Sequence, residues 1–199
     1  MSAPEQSAST AGAERSLAAA PAAGEVQPWT PPTEWSPGWQ KLALDLVDPE
    51  GKLTPFETAY FFTRARALGL DPLARQVFPM KFKGGRMEPF VGIHGIRMLA
   101  ERTRERGSER PFPIYDAEGR LTAVRVTVER VHGGKVAEFE FTAQMKEFFP
   151  KPGASGKVPD SWVDKPELML TKCATANAYR AAFPEVLGGL YIAEEAGSE

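Results

Sequence analysis

Histidine and cysteine are nearly missing from this sequence of 199 residues: Cys173 is the single thiol, and His94 and His132 are the two imidazoles. One cysteine excludes an intramolecular disulfide and fits a reducing cytosol. Lying in a strongly helical stretch, it reads as a small buried apolar residue. The three residues are far apart in sequence, so neither a zinc-ligand spacing nor a Cys/His nucleophilic pair is present. His132 at a turn and His94 near a helix start suit surface or structural roles. Long apolar runs are lacking too. Nothing approaches the roughly 18 apolar residues of a membrane span, and the N-terminus has no basic-then-apolar leader, so a soluble, cytoplasmic protein is expected. The GxxxxGK[ST] phosphate loop does not occur; Gly84-Gly85 and Gly133-Gly134 read as hairpin turns, and no ATP site, cofactor or metal is expected. No Asp/Glu spacing reads as a two-metal nuclease centre, a weaker exclusion because such centres assemble from distant segments.

Hydrophobic residues make up 42% of the chain, enough for one core plus tails. The net charge of −2 is unpromising for a nucleic-acid binder, since phosphate neutralisation needs a local excess of Lys and Arg. The average conceals segregation. Residues 61–110 hold 11 Lys or Arg against 5 Asp or Glu, a net of +6 that leaves −8 for the rest. Charged helices that merely solvate themselves would give the same count.

Residues 1–37 are rich in Ala, Pro, Ser, Glu and Gln with no apolar period, and read as a tail. Trp29, Trp35 and Trp39 form a docking segment for a neighbour, or else Trp39 alone anchors a short helix over 38–47. A better-marked helix follows, with Thr54 as N-cap, Pro55 in the first turn and Glu57 completing a capping box; Phe56, Ala59, Tyr60, Phe62 and Leu68 supply its apolar stripe and Gly69 its stop. Extended segments over 75–83 and 86–91 flank Gly84-Gly85 as a hairpin whose tip carries Lys81, Lys83 and Arg86. A helix is predicted over 93–106, with Ile93, Ile96, Leu99, Ala100 and Thr103 inward. Alternating valines at 124, 126 and 128, and Ala137, Phe139 and Phe141 on the return, predict a second hairpin around 132–134 with one buried face. A Gly, Pro and Lys loop over 151–159 is long enough to be functional. The last helix, opened by a capping box at Asp164 and Glu167, runs to about residue 183. At 100° per residue, Lys165, Lys172 and Arg180 share an arc of roughly 80° on it, while Leu168, Leu170, Cys173, Ala174, Ala181 and Phe183 can pack.

A basic hairpin tip, a basic loop and a basic helix stripe are thus interleaved with Phe82, Phe148, Phe149 and Trp162. The combination suits single-stranded DNA, with cations tracking phosphates and aromatic faces stacking bases. Core packing competes for each aromatic, Phe82 and Phe148 above all, and plain solvation for each cation taken singly.

The stretch SWVDKPELMLTKCATANAYRAAFPEVLGGLYIAEE resembles the signature of the phage recombination protein Bet family, the Red beta and RecT-like single-strand annealing proteins. Trp162, Pro166, Met169-Leu170, Lys172, Arg180, Ala182-Phe183-Pro184 and Gly189-Leu190-Tyr191 before Glu194-Glu195 all match its pattern. GLDPLARQVFPMKF and FVGIHGIRMLAERT resemble the family's first hairpin and the helix after it. The resemblance covers about residues 40–195. It implies an α+β core, 38–195, of β-hairpins packed with helices, followed by a short tail over 196–199. Protomers of such a core stack into rings or helical filaments, bind ssDNA in a positively charged groove and anneal it to a complementary strand without ATP, holding the annealed duplex intermediate most tightly. Carried over by position, Lys83, Lys146, Lys157, Lys165, Lys172 and Arg180 are the groove candidates; Lys172 and Arg180 match motif residues. Trp162 and Pro166 fix the helix start.

Longer members of that family continue into a C-terminal domain that recruits a cognate exonuclease or the host single-strand-binding protein. This sequence ends just after the core, so those partners are an open expectation, with the Trp-bearing tail as an alternative docking segment. Two other functions stay open: an ssDNA-binding or loading protein that does not anneal, and a metal-dependent nuclease.

Overall fold

Two-residue alternation over 121–143 folds as predicted. In the computed structural model, which describes residues 35–81, 85–152 and 156–195, β4 (Leu121–His132) and β5 (Lys135–Gln144) form a hairpin registered from Ala123↔Gln144 to His132↔Lys135. Gly133 and Gly134 between them have φ of 56° and 77°, the left-handed pair that a type I′ turn requires. A third strand, β3 (Arg106–Tyr115), pairs with the far side of β4 to give the order β3-β4-β5. The sequence predicted no strand there, because Pro111 and Pro113 cannot donate to a ladder. As β3 is an edge strand its outer side needs no donors, and the prolines blunt further pairing.

The sheet has two unlike faces. Val124, Val126 and Val128 are fully buried beneath α6 (Pro166–Ala182), and Phe141 and Phe139 register beside Val126 and Val128 and are partly buried with them. Directly paired residues share a face, so Glu109, Pro111 and Pro113 of β3 also turn toward α6. The outer face is polar, tied by Arg110–Glu129 (2.5 Å), Arg110–Glu138 and Arg125–Glu140 (3.6 Å), with the Arg125 guanidinium 5.1 Å from the Phe112 ring centre.

One charged network is enclosed between sheet and helix. Arg97 pairs with Glu109 at 2.6 Å, the Tyr179 hydroxyl donates to the other Glu109 oxygen at 3.0 Å, and Arg106 Nε donates to that hydroxyl at 2.6 Å. Burial pushes the Glu109 carboxyl up, but the Arg97 guanidinium, together with the Tyr179 hydroxyl and Arg106, holds the group below its ordinary value. Cys173, on the buried side of α6, is packed as expected; burial raises its thiol well above the usual range, and the neighbouring Glu195 and Glu194 add to the shift.

The remaining elements pack beside this unit. β1 (Val77–Lys81) and β2 (Met87–Val91) pair antiparallel, while Lys83 and Gly84, central to the predicted turn, lie outside the described residues. α3 (Ile93–Arg102) follows at once, with Ile96, Leu99 and Ala100 inward as predicted; it stops at Arg102, whose guanidinium donates to the Leu68 carbonyl (2.8 Å) and the Gly69 carbonyl at the end of α2. α1 (Pro37–Val47) is anchored by Trp35 and Trp39 together, stacked 4.3 Å apart and both edge-on to Phe62. Trp29 lies outside the described residues.

α2 (Pro55–Leu68) has the predicted Thr54–Glu57 capping box, but its core face is Phe61, Phe62 and Ala65. Phe56, Ala59 and Tyr60, expected inside, are exposed. The helix is apolar on two sides, so periodicity alone could not choose between them; packing of Trp35 and Trp39 on Phe62 fixes the choice. At the start of α6 the expected capping box does not form. Asp164 ends a separate short helix, α5 (Asp160–Asp164), and Lys165, at φ −138° and ψ 54°, is an N-cap with no side-chain bond. Leu168 and Ala181 are exposed rather than packed. α4 (Met145–Phe148) and α7 (Pro184–Leu187) complete the described helices, with a single 3-10 turn at Ala193–Glu195. The fold class is α+β, hairpins packed with helices, as expected. No helix among the described residues is long and apolar enough to cross a membrane.

Candidate nucleic-acid interface

The cations singled out in the sequence separate into three groups. Lys83 lies outside the described residues. Lys146 in α4, Lys157 before α5 and Lys165 between α5 and α6 are exposed, and none forms an ion pair among the described residues. One ring contact joins the segments that bear them: Phe149, the C-cap of α4, stands edge-on to Trp162 of α5 with centroids 6.0 Å apart. Lys151, read in the sequence only as part of a basic loop, is exposed between α4 and α5 and has no ion pair among the described residues. Trp162 is buried and holds the start of α6 as expected; Phe148 packs edge-on to Phe141 at 6.2 Å, and Phe149 keeps 39% of its surface. Glu147, Asp160 and Asp164 are exposed in the same segments, so charge here is mixed. Phosphates would be met by lysine reach rather than by a net field.

Lys172 and Arg180 form the third group, and their surroundings differ from an open groove. The Lys172 ammonium pairs with Glu194 at 2.8 Å. Arg180 donates through Nη1 to Glu195 Oε2 and to the Leu190 carbonyl, both at 3.0 Å, and through Nη2 to Glu195 Oε1. Asn177, one turn before Arg180, donates to the same Glu195 Oε1 at 2.8 Å. The Arg180 guanidinium also lies 5.4 Å from the Tyr191 ring centre. Side-chain exposure is 29% for Lys172 and 16% for Arg180. Of the predicted stripe, Lys172 and Arg180 lie on α6, whereas Lys165 is its non-helical N-cap, and the two motif cations are covered by the Ala193–Glu195 turn.

Sequence reasoning noted Glu194 and Glu195 only as acids after a motif and did not single out Asn177. Helical spacing links Asn177 to Arg180 three residues on but not to Lys172 five residues before; nothing local announces the acids, which return to α6 only after α7. Of the histidines, His94 is exposed at the start of α3, and His132 at the β4–β5 turn pairs with Glu105. Among the described residues no three of His, Cys, Asp and Glu converge in a metal-holding group.

Fold and surface together define an α+β protein whose longest described helix carries Lys172 and Arg180, preceded by segments that bear exposed lysines. The model of the RecT family matches residues 40–199, and the chain belongs to that family, the single-strand annealing proteins of recombination. The resemblance in the α6 motif and the first hairpin is thereby borne out. No curated protein matches the chain.

Proposed function

We propose that the chain anneals single-stranded DNA during recombination, without ATP and without making or breaking covalent bonds. Lys146, Lys157 and Lys165, joined by Lys83, Lys172 and Arg180, hold the sugar-phosphate chain while the bases stay free to sample register against a second strand. Base pairing supplies the specificity. Protomers assemble side by side as rings or helical filaments, and the paired duplex is the product retained. A cognate exonuclease and the host single-strand-binding protein are the expected partners, in the cytoplasm of a bacterium or a phage-infected host.

What carries the reading, beside the family, is the set of exposed lysines in the segments on either side of the Phe149–Trp162 contact that have no ion pair among the described residues. The second apolar face of α2 supports assembly, because a solvated helix has no use for exposed Phe56 and Tyr60 side by side. Mixing a fluorescent oligonucleotide with its complement tests the proposal. Pairing should be faster with protein present, without nucleotide, and labelled DNA should keep its length in magnesium or manganese. Tight binding without faster pairing would make the chain a loading protein; cleavage products would make it a nuclease.

A further inference from the structure

Lys172, Asn177 and Arg180 present a cationic, hydrogen-bond-donating face of α6, and the ligand they hold is the chain's own pair of carboxylates. A carboxylate resembles a phosphodiester in the respects that matter to such donors: it is anionic, with two oxygens able to accept from a forked guanidinium. Glu195 accepts from the Asn177 amide, both terminal nitrogens of Arg180 and the Ile192 amide, and Glu194 takes the Lys172 ammonium. The chain leading to these acids is firmly held: Ile192 is fully buried, and the Val91 amide donates to the Tyr191 carbonyl at 3.1 Å. The acids themselves sit on a three-residue 3-10 turn with no buried residue. Within the turn the Glu195 amide donates to the Ile192 carbonyl (3.1 Å) and the Ile192 amide to Glu195 Oε2 (3.2 Å). A three-residue turn with no fully buried residue, standing on a fixed base, can open without unfolding the core.

We infer that the Ala193–Glu195 turn is a displaceable internal mimic of the DNA backbone: it occupies Lys172, Asn177 and Arg180 in the free protein and is exchanged for a phosphodiester when a strand binds. The inference rests on the DNA-binding reading above and adds a regulated order to it. Lys146, Lys157 and Lys165 make first contact, and the α6 site engages only when a strand displaces the turn. Because each exchange swaps one anion for another, the free protein resists stray anions, while a strand already held at the lysine segment competes at high local concentration.

Binding of a fluorescent single-stranded oligonucleotide to the full chain tests this through Glu194→Gln with Glu195→Gln, which keeps shape and removes both charges. The double variant should bind roughly tenfold tighter at moderate salt, and its salt slope should steepen by about 1.4, two contacts at about 0.7 each. Adding Lys172→Ala and Arg180→Ala should abolish that gain. A folded double variant that binds no tighter overturns the inference. Should the variant melt below the assay temperature, amide exchange in the unaltered protein decides: the Ile192 and Glu195 amides should exchange faster once DNA is added, and unchanged or slower exchange overturns the displacement. Charge removal at Lys146, Lys157 and Lys165 separates the two layers. Loss of affinity there with a silent glutamine variant sinks the mimic alone, whereas no loss in either arm sinks the DNA-binding reading as well.

Discussion

Gly95 is held by contact rather than by backbone angle. A methyl group there would stand 2.3 Å from the Gln76 carbonyl oxygen and 2.7 Å from Val91 Cγ1, and the first neighbour is backbone that cannot turn away. Gly95→Ala should therefore cost about 1–3 kcal/mol despite the better helix propensity of alanine, seen as a lower denaturant midpoint at unchanged m-value; Gly38→Ala, with nothing within 4 Å of the added group, should not. Acid sensitivity is also set by single residues. Arg110, with help from Ser108, lowers the Glu129 carboxyl to about 2, and Lys81, with the Thr54 amide, does the same for Glu57. Both folded values lie below the ordinary 4.5. Their stabilisation is thus complete above about pH 4.5 and is lost as pH falls from there through 2. Melting temperatures taken across that window should drop, less steeply for Arg110→Ala, and less at high salt because these pairs are exposed. Of such detail the sequence disclosed the Thr54–Glu57 box, which is local, but not the Lys81–Glu57 or Arg110–Glu129 pairs, which join distant elements.

Elements were legible where one period or one cap dominates. The β4–β5 hairpin, α1, α3 and the body of α6 follow from valine alternation, helical spacing and flanking turn residues. β3 escaped because its prolines hide an edge strand, and α4 and α5 because a helix of four or five residues has no period to read. The divided stripe of α2 is the most informative difference: Phe62 and Leu68 pack inward as predicted, whereas Phe56, Ala59 and Tyr60 do not. Phe56 keeps 79% of its surface and Tyr60 37%, four residues apart on one side of a helix whose other side is the core. Replacing both with Glu should change protomer stability by less than about 0.5 kcal/mol, as for exposed positions generally, yet shift light scattering or sedimentation toward smaller species. Assembly that survives the double variant would place the subunit contact elsewhere.

For the whole molecule, a net charge of −2 and a DNA-binding role are compatible because cations are not averaged over the surface. The outer sheet face spends its arginines on glutamates, Lys172 and Arg180 are engaged by Glu194 and Glu195, and the exposed lysines of the α4–α6 segments stay unpaired. Sequence position alone could nominate all of these cations but could not tell a paired one from an open one, since pairing depends on chain return across 15 to 22 residues. The direct measurement is the salt dependence of ssDNA affinity for the intact chain and for Lys146→Ala with Lys157→Ala and Lys165→Ala. The slope of log affinity against log salt should shrink by about 2, some 0.7 for each phosphate contact removed, and by the same amount for unrelated sequences. A slope identical to that of the unaltered chain would contradict the placement of the DNA backbone on these lysines.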